Sequence, residues 1–205
     1  MLKLFYSVGS CARASHIALA EAGADYEAVR IDVNAGDQMR PEFLALNPKG
    51  RVPALVTDRG VLTENVAILA FIAQAYPQAR LAPLDDPFAF GQVQAFNSYL
   101  SSTLHVAYAH KKRGYRWADD ASALAEMARK VPETVAACFS FIESEMRGTW
   151  VMGQDYTICD PYLFTLAGWM ERDGVDPSRF PKVADHMARM AQRPAVRNVL
   201  AQEAQ

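Results

Sequence analysis

The sequence predicts a small α/β domain over residues 1–79, a linker over residues 80–87 and an all-helical domain over residues 88–205. Three observations predict this division. Up to about residue 76 the apolar residues switch between strand-like and helix-like periods; beyond residue 88 every periodic segment is helical; and Pro77, Pro83 and Pro87 separate the two regimes. Taken in order, residues 2–6 (Leu-Lys-Leu-Phe-Tyr) form a strand. Residues 12–22 form a helix with Ala14, Ile17, Ala18 and Glu21 at helical spacing, and Gly23 ends it. Residues 26–33 alternate, with Val29, Ile31 and Val33 on one face, so they make a second strand parallel to the first through a βαβ crossover. A connecting segment leads to short strands at 51–57 and 61–63, joined by the turn Asp58-Arg59-Gly60, and then to an apolar helix over 65–76. In the second domain, residues 88–113 read as one long helix broken only by Gly91 near its start. Residues 119–146 read as another that Pro132 kinks or divides, followed by helices at 161–172, 182–192 and 195–202. The chain shows neither an internal repeat nor a low-complexity tract.

With 205 residues, 51% of them hydrophobic and 21% charged, the chain can bury a core without staples. A formal charge of -2 provides no field to gather nucleic acid or anionic lipid, which leaves a small molecule or another protein as the partner. The first residues read as a strand rather than a secretory signal. No apolar run reaches the roughly 18 to 20 residues of a membrane helix, so a cytoplasmic protein is expected. Cys11, Cys138 and Cys159 are an odd number with neither metal-site spacing nor a Cys-x-x-Cys pair; they read as free thiols of a reducing compartment, and no metal is expected.

Four places carry candidate chemistry, each with a structural alternative. Cys11, in Ser7-Val-Gly-Ser-Cys11-Ala-Arg, falls between the first strand and the first helix. There the helix dipole and unpaired N–H groups favour a thiolate, and Ser10 and Arg13 stand beside it; the alternative is a small packed cysteine. Pro53 opens a strand. A cis Val52–Pro53 bond would turn the Val52 backbone toward an extended peptide ligand, whereas a trans proline would simply mark an edge strand. Glu64 and Asn65 begin the apolar helix, either to hold the ammonium and carboxylate of an amino acid or only to cap the helix. His105 lies on a polar stripe with Ser98, Ser101, Tyr108 and Lys112, as a hydrogen-bond donor or proton carrier or as a packed histidine. Thr157-Ile-Cys-Asp160 is a capping box with Asp in the usual place of Glu, which gives Cys159 a packing role; His16, His110 and His186 read as structural or exposed.

Over nearly the whole chain these residues resemble the glutathione transferase family, most closely its bacterial beta class. The resemblance is carried by Leu4-Phe-Tyr-Ser, Gly9-Ser-Cys11, His16-Ile-Ala-Leu, Asn47-Pro-Lys-Gly-Arg-Val-Pro-Ala-Leu55 and Leu62-Thr-Glu-Asn-Val-Ala-Ile68. Gly153-Gln-Asp-Tyr-Thr-Ile-Cys-Asp-Pro-Tyr-Leu-Phe164 and Ala191-Gln-Arg-Pro-Ala-Val196 carry it in the second domain. It implies a thioredoxin-like first domain, an all-α second domain, glutathione as co-substrate, a homodimer and a role in detoxification. It also implies a cis Val52–Pro53 bond, Glu64 and Asn65 at the γ-glutamyl end of glutathione, and Cys11, Ser10 and His105 at its sulfur. Tyr6 matches a tyrosine that is catalytic in other classes. By position, Tyr6, Val8, Tyr108 and Trp169 would line the pocket of the second substrate.

The chain departs from the family pattern at several places. Gly36 stands where a lysine is expected to meet the glycyl carboxylate, Arg51 replaces a glutamine, and Val106 replaces a basic residue. Ser98 and Thr103 stand where an Asn and a Glu commonly reach the partner subunit's glutathione. Arg51 is the candidate replacement for the missing carboxylate partner. The expected activity is transfer of the glutathione thiolate to small hydrophobic electrophiles. Its alternatives are glutathione-dependent thiol-disulfide reduction through Cys11 and a non-catalytic, transferase-like regulatory protein.

Overall fold

The protein is described by a computed structural model covering all of residues 1–205. Its sheet has the strand order β2-β1-β3-β4. Strand β1 (Leu2–Tyr6) runs parallel to β2 (Tyr26–Arg30), with Leu4 opposite Ala28. On its other side β1 pairs antiparallel with β3 (Ala54–Thr57), with Leu4 opposite Leu55, and β3 turns back into β4 (Gly60–Thr63). Helix α1 (Ala12–Glu21) is the crossover between β1 and β2. Its residues from Ala14 to Leu19 are all buried, because it packs against the sheet, against α3 (Asn65–Ala75) and against helices of the second domain at once. Its many alanines allow this close approach on every side. Phe5 points to the opposite face from Leu4 and Tyr6, and meets Phe43 of α2 (Pro41–Leu46) edge-on at 5.8 Å.

The second domain consists of α4 (Pro87–Tyr99), α5 (His105–Arg113), α6 (Ala121–Glu145), α7 (Cys159–Ala167), α8 (Pro181–Gln192) and α9 (Pro194–Glu203). A single apolar cluster runs from Leu4 and Leu55 through Ile68 to Phe139, Leu163 and Val183, so the two domains share one core. No helix is long and apolar enough to cross a membrane.

Several boundaries differ from the sequence reading, each for a local reason. Strand β2 stops at Arg30 rather than at residue 33 because its partner β1 ends at Tyr6; the last bond runs from Ile31 N–H to Tyr6 C=O at 2.7 Å. The next residues turn instead, with the Asp32 carboxylate accepting from the Asn34 and Ala35 N–H groups at 2.9 and 3.2 Å. The connecting segment then holds α2, absent from the sequence reading. Strand β3 starts at Ala54 rather than at Arg51, since Pro53 has no N–H for the ladder.

The expected helix over 88–113 is interrupted by a π-helical stretch, Leu100–Leu104. There the Ser101 and Ser102 hydroxyls donate to the Ser98 carbonyl at 3.0 and 2.8 Å, competing with backbone donors for that oxygen. Helix α6 runs through Pro132 undivided. Helix α7 begins two residues before its expected start and ends before Trp169, where a 3-10 turn (Glu171–Asp173) follows.

The capping box at Thr157 extends into a larger buried network. Asp160, fully buried, accepts from the Thr157 N–H at 2.7 Å, from the Val151 N–H at 2.9 Å and from His186 Nε2 at 3.0 Å. One carboxylate thus fixes the start of α7, the preceding loop and α8. Replacing Asp160 by alanine leaves two buried N–H groups and a histidine without a partner, at about 1 to 3 kcal/mol for each group. Asp160→Ala is therefore expected to lose about 3 kcal/mol or more of unfolding free energy in a urea titration. A loss under about 1 kcal/mol would contradict this role.

Candidate active site

The turn between β1 and α1 carries Cys11, and three parts of the molecule hold it. Gly9 adopts a left-handed conformation, φ 66°, that other residues enter with strain. Its N–H donates to Glu203 Oε2 at 3.1 Å, and its carbonyl accepts from Trp169 Nε1 at 3.0 Å. Glu203, near the end of α9, also takes Arg13 Nε and Nη2 at 3.0 and 2.6 Å. Asn65 braces the far side, donating through Nδ2 to the Cys11 carbonyl at 2.8 Å and accepting from Ser15 Oγ at 2.6 Å. The Ser10 hydroxyl accepts from the N–H of Ala12, the first residue of α1, at 3.2 Å, with its own hydrogen still to donate.

The turn opens on a cleft of about 1060 Å³ between the two domains. Of the catalytic, glutathione-binding and pocket residues expected from the sequence, Val8, Ser10, Cys11, Arg51, Val52, Pro53, Glu64, Asn65, Ser98, His105, Tyr108 and Trp169 line it. Two do not. Tyr6 is 5% exposed and lies on the Leu4 face of β1, tilted against His16 at 4.9 Å, because strand alternation turns it into the core. Thr103 is exposed on the π-helical stretch, outside the cleft of its own chain. A separate groove of about 900 Å³ near Pro83 and Arg193 contains none of these residues.

The Cys11 thiol donates to the Val52 carbonyl at 3.7 Å, and the Val52–Pro53 peptide is cis. Burial pushes this thiol up to about 11, with the Arg113 guanidinium the largest opposing influence. The expected thiolate therefore does not form at neutral pH in the unliganded site, since loss of hydration outweighs the helix dipole. Of the readings open for His105, the geometry favours the hydrogen-bond donor. Arg113 Nη2 lies 3.2 Å from His105 Nε2; a guanidinium only donates, so Nε2 carries the lone pair and Nδ1 the proton. Burial first, then the cations Arg113, Arg116 and Arg51, push His105 down to about 4, and at neutral pH it is an uncharged donor rather than a proton carrier. Its ring meets Trp169 edge-on at 5.3 Å.

Asn65 is the first residue of α3 rather than its cap, and its side chain is spent on Ser15 and Cys11; what it offers the cleft is backbone N–H at the helix start. Glu64 is the cap residue, held at φ 71°, and its carboxylate is paired with Lys49, whose Nζ also reaches Thr63 Oγ1 at 2.8 Å. Tyr108 lines the cleft with its ring, while its hydroxyl is committed to the Leu166 carbonyl at 3.0 Å. Gly36 lies outside the cleft in a left-handed turn at φ 82°. Sequence reasoning missed Lys49, Arg113, Arg116 and Glu203. The dense basic run Lys111-Lys-Arg-Gly-Tyr-Arg116 was the available signal for two of them, and nothing local marked Glu203.

A thioredoxin-like sheet that presents a cysteine at the start of its first helix, closed by a helical domain, defines a class of thiol-handling proteins, and comparison with known proteins gives the family. The glutathione S-transferase N-terminal domain matches residues 1–74, and the C-terminal domain matches residues 96–194. Glutathione S-transferase GstA of Escherichia coli O157:H7 is 32% identical over 98% of each chain. A glutathione transferase homologue from Sulfitobacter, solved with bound glutathione, superimposes with a TM-score of 0.95 at 44% identity over 98% of each chain. A bacterial beta class glutathione S-transferase from Sphingomonas chungbukensis gives 0.86 at 34% identity, again over 98% of each chain. The chain belongs to the glutathione S-transferase family.

Because the Cys11 thiol sits at about 11, its alkylation by iodoacetamide in the unliganded protein is expected to keep accelerating up to about pH 10. Peptide mass spectrometry at Cys11 measures this rate separately from the two other cysteines. A plateau below about pH 8 would mean that the site stabilises a thiolate after all.

Proposed function

We propose that the cleft binds glutathione and transfers its thiolate to a small electrophile with an apolar body. The observation that carries this reading is the position of Cys11, a half-buried thiol that lines the cleft beside the Val52 carbonyl and that desolvation holds in its protonated form. When glutathione binds, this S–H turns from the Val52 carbonyl and donates to the sulfur of glutathione. Cys11 is a poor attacking thiolate near pH 7, which disfavours thiol-disulfide exchange.

Glutathione in this cleft meets complementary groups along its length. Glu64 takes the γ-glutamyl ammonium, exchanging Lys49 for it, and the first N–H groups of α3 take the adjacent carboxylate. The Val52 backbone, next to the cis proline, pairs with the cysteinyl peptide unit, and Arg51 meets the glycyl carboxylate. Cys11 and Ser10 donate to the sulfur, lowering the pKa of the bound thiol and raising its thiolate population; the proton passes to solvent. His105, neutral and with its proton on Nδ1, assists as a donor. The thiolate then forms a carbon–sulfur bond with the electrophile. In a substitution the leaving group departs with its bonding pair; in an addition the π pair of the attacked double bond moves onto the acceptor group, which then takes a proton from water.

Val8 and the rings of Tyr108 and Trp169 form the wall for the apolar body of the second substrate; Tyr6, in the core, has no part in it. The family resemblance supports a homodimer, in which Ser98 and the exposed Thr103 serve the partner subunit's glutathione. Three free cysteines fit a reducing, cytoplasmic setting, and the family resemblance supports a detoxifying role.

The test is retention on immobilised glutathione together with conjugation of 1-chloro-2,4-dinitrobenzene, and absence of both would refute the proposal. In Cys11→Ala one hydrogen bond to a charged sulfur is lost, so kcat/KM is expected to fall by about 10- to 100-fold without vanishing. Complete loss of conjugation would favour covalent chemistry at Cys11.

A further inference from the structure

Charge is distributed unevenly in the cleft. Arg51, Lys112, Arg113, Arg116 and Arg172 line it, against only Glu64 and Asp173. Both carboxylates already have cations: Glu64 has Lys49, and Asp173 has Lys111 at 3.1 Å and Arg172 at 2.9 Å. Arg51, Lys112, Arg113 and Arg116 make no salt bridge. Arg113 is half-buried, and its one side-chain hydrogen bond goes to the neutral His105 ring. Burial and the neighbouring Arg116 and Arg51 hold its guanidinium below the ordinary range. A desolvated cation beside like charges, with no counterion, is an arrangement that an incoming anion relieves.

Glutathione does not use up this charge. On the reading above, its γ-glutamyl end lies at Glu64 and α3 and its glycyl carboxylate at Arg51. That leaves Arg113 and Arg116 on the helical side; Arg113 is bonded to His105, whose ring meets Trp169, and Trp169 in turn meets Tyr108 at 5.4 Å. We infer that the second substrate is an electrophile with a carboxylate on an apolar, preferably aromatic, body, the carboxylate held by Arg113 and Arg116 and the body lying against Tyr108 and Trp169. The inference rests on the proposed glutathione site and adds the substrate class to it. A planar guanidinium matches a carboxylate with two parallel hydrogen bonds. Arg113 also holds His105 by its Nε2, so the substrate's anionic group and the neutral histidine share one anchor.

The test compares 4-chloro-3,5-dinitrobenzoate with its methyl ester. In both, the glutathione sulfur bonds to the chlorine-bearing carbon and chloride leaves with the C–Cl pair, so only the carboxylate charge differs. Each kcat/KM is divided by the uncatalysed rate constant with glutathione, and glutathione affinity is measured separately by calorimetry. The corrected preference for the benzoate is expected to be about tenfold or more. It should fall toward unity in the double variant Arg113→Gln, Arg116→Gln, and in the unaltered protein as ionic strength rises from about 0.05 to 0.3 M. The salt series tests the inference even if the double variant fails to fold. Glutathione binding accompanied by equal or poorer use of the benzoate, or by a preference that ignores both salt and the substitutions, would overturn the inference and leave the glutathione reading standing. Absence of glutathione binding would overturn both.

Discussion

The Gly9 peptide is gripped at both ends by the helical domain, its N–H by Glu203 of α9 and its carbonyl by Trp169 just beyond α7. These bonds close over 194 and 160 residues of sequence, so the shape of the turn depends on the completed fold. The grip holds Gly9 in its left-handed conformation, and the turn it fixes presents Ser10 and Cys11 to the cleft. Asn65 completes it from α3, and the shared core beneath, with α1 buried on every side, keeps the two domains from sliding. The site is therefore a property of the domain junction, more than of either domain alone.

Placement at a junction also decides the electrostatics. A cysteine at a helix start would be acidified if water still reached it, because dipole and solvation would act together. Here burial wins, and the thiol becomes a hydrogen donor. The same desolvation neutralises His105, reinforced by the arginines that end α5 and follow it. The unliganded cleft is thus lined by neutral donors and by uncompensated cations, of which Arg113 lies close enough to act on the Cys11 thiol. Such a surface suits an anionic nucleophile and substrates that bring negative charge with them.

How much of this was legible in the sequence depended on distance along the chain. Strand β1, α1, the β3–β4 hairpin and α3 were readable because each has enough residues to display its period, and Cys11 was readable from its place between two of them. Helix α2 has six residues and one buried side chain, Phe43, too little for a period to emerge. The π-helical stretch adds a residue to a turn without changing the apolar count, so α4 and α5 looked like one helix. The inward direction of Tyr6 needed the face covered by α1, and the pairing of Arg113 with His105 reaches along α5 beyond the i+3 and i+4 neighbours that helical spacing brings together. Glu203 is one carboxylate among polar residues near the end of the sequence, and only the fold reveals its partners.

The most direct test of this account is a crystal structure of the protein soaked with reduced glutathione. The account predicts a tripeptide with its sulfur in hydrogen-bond contact with Cys11 Sγ and no bond between the two sulfurs, while Glu203 and Trp169 still hold Gly9. A mixed disulfide at Cys11, or a tripeptide whose sulfur lies away from the turn, would contradict it.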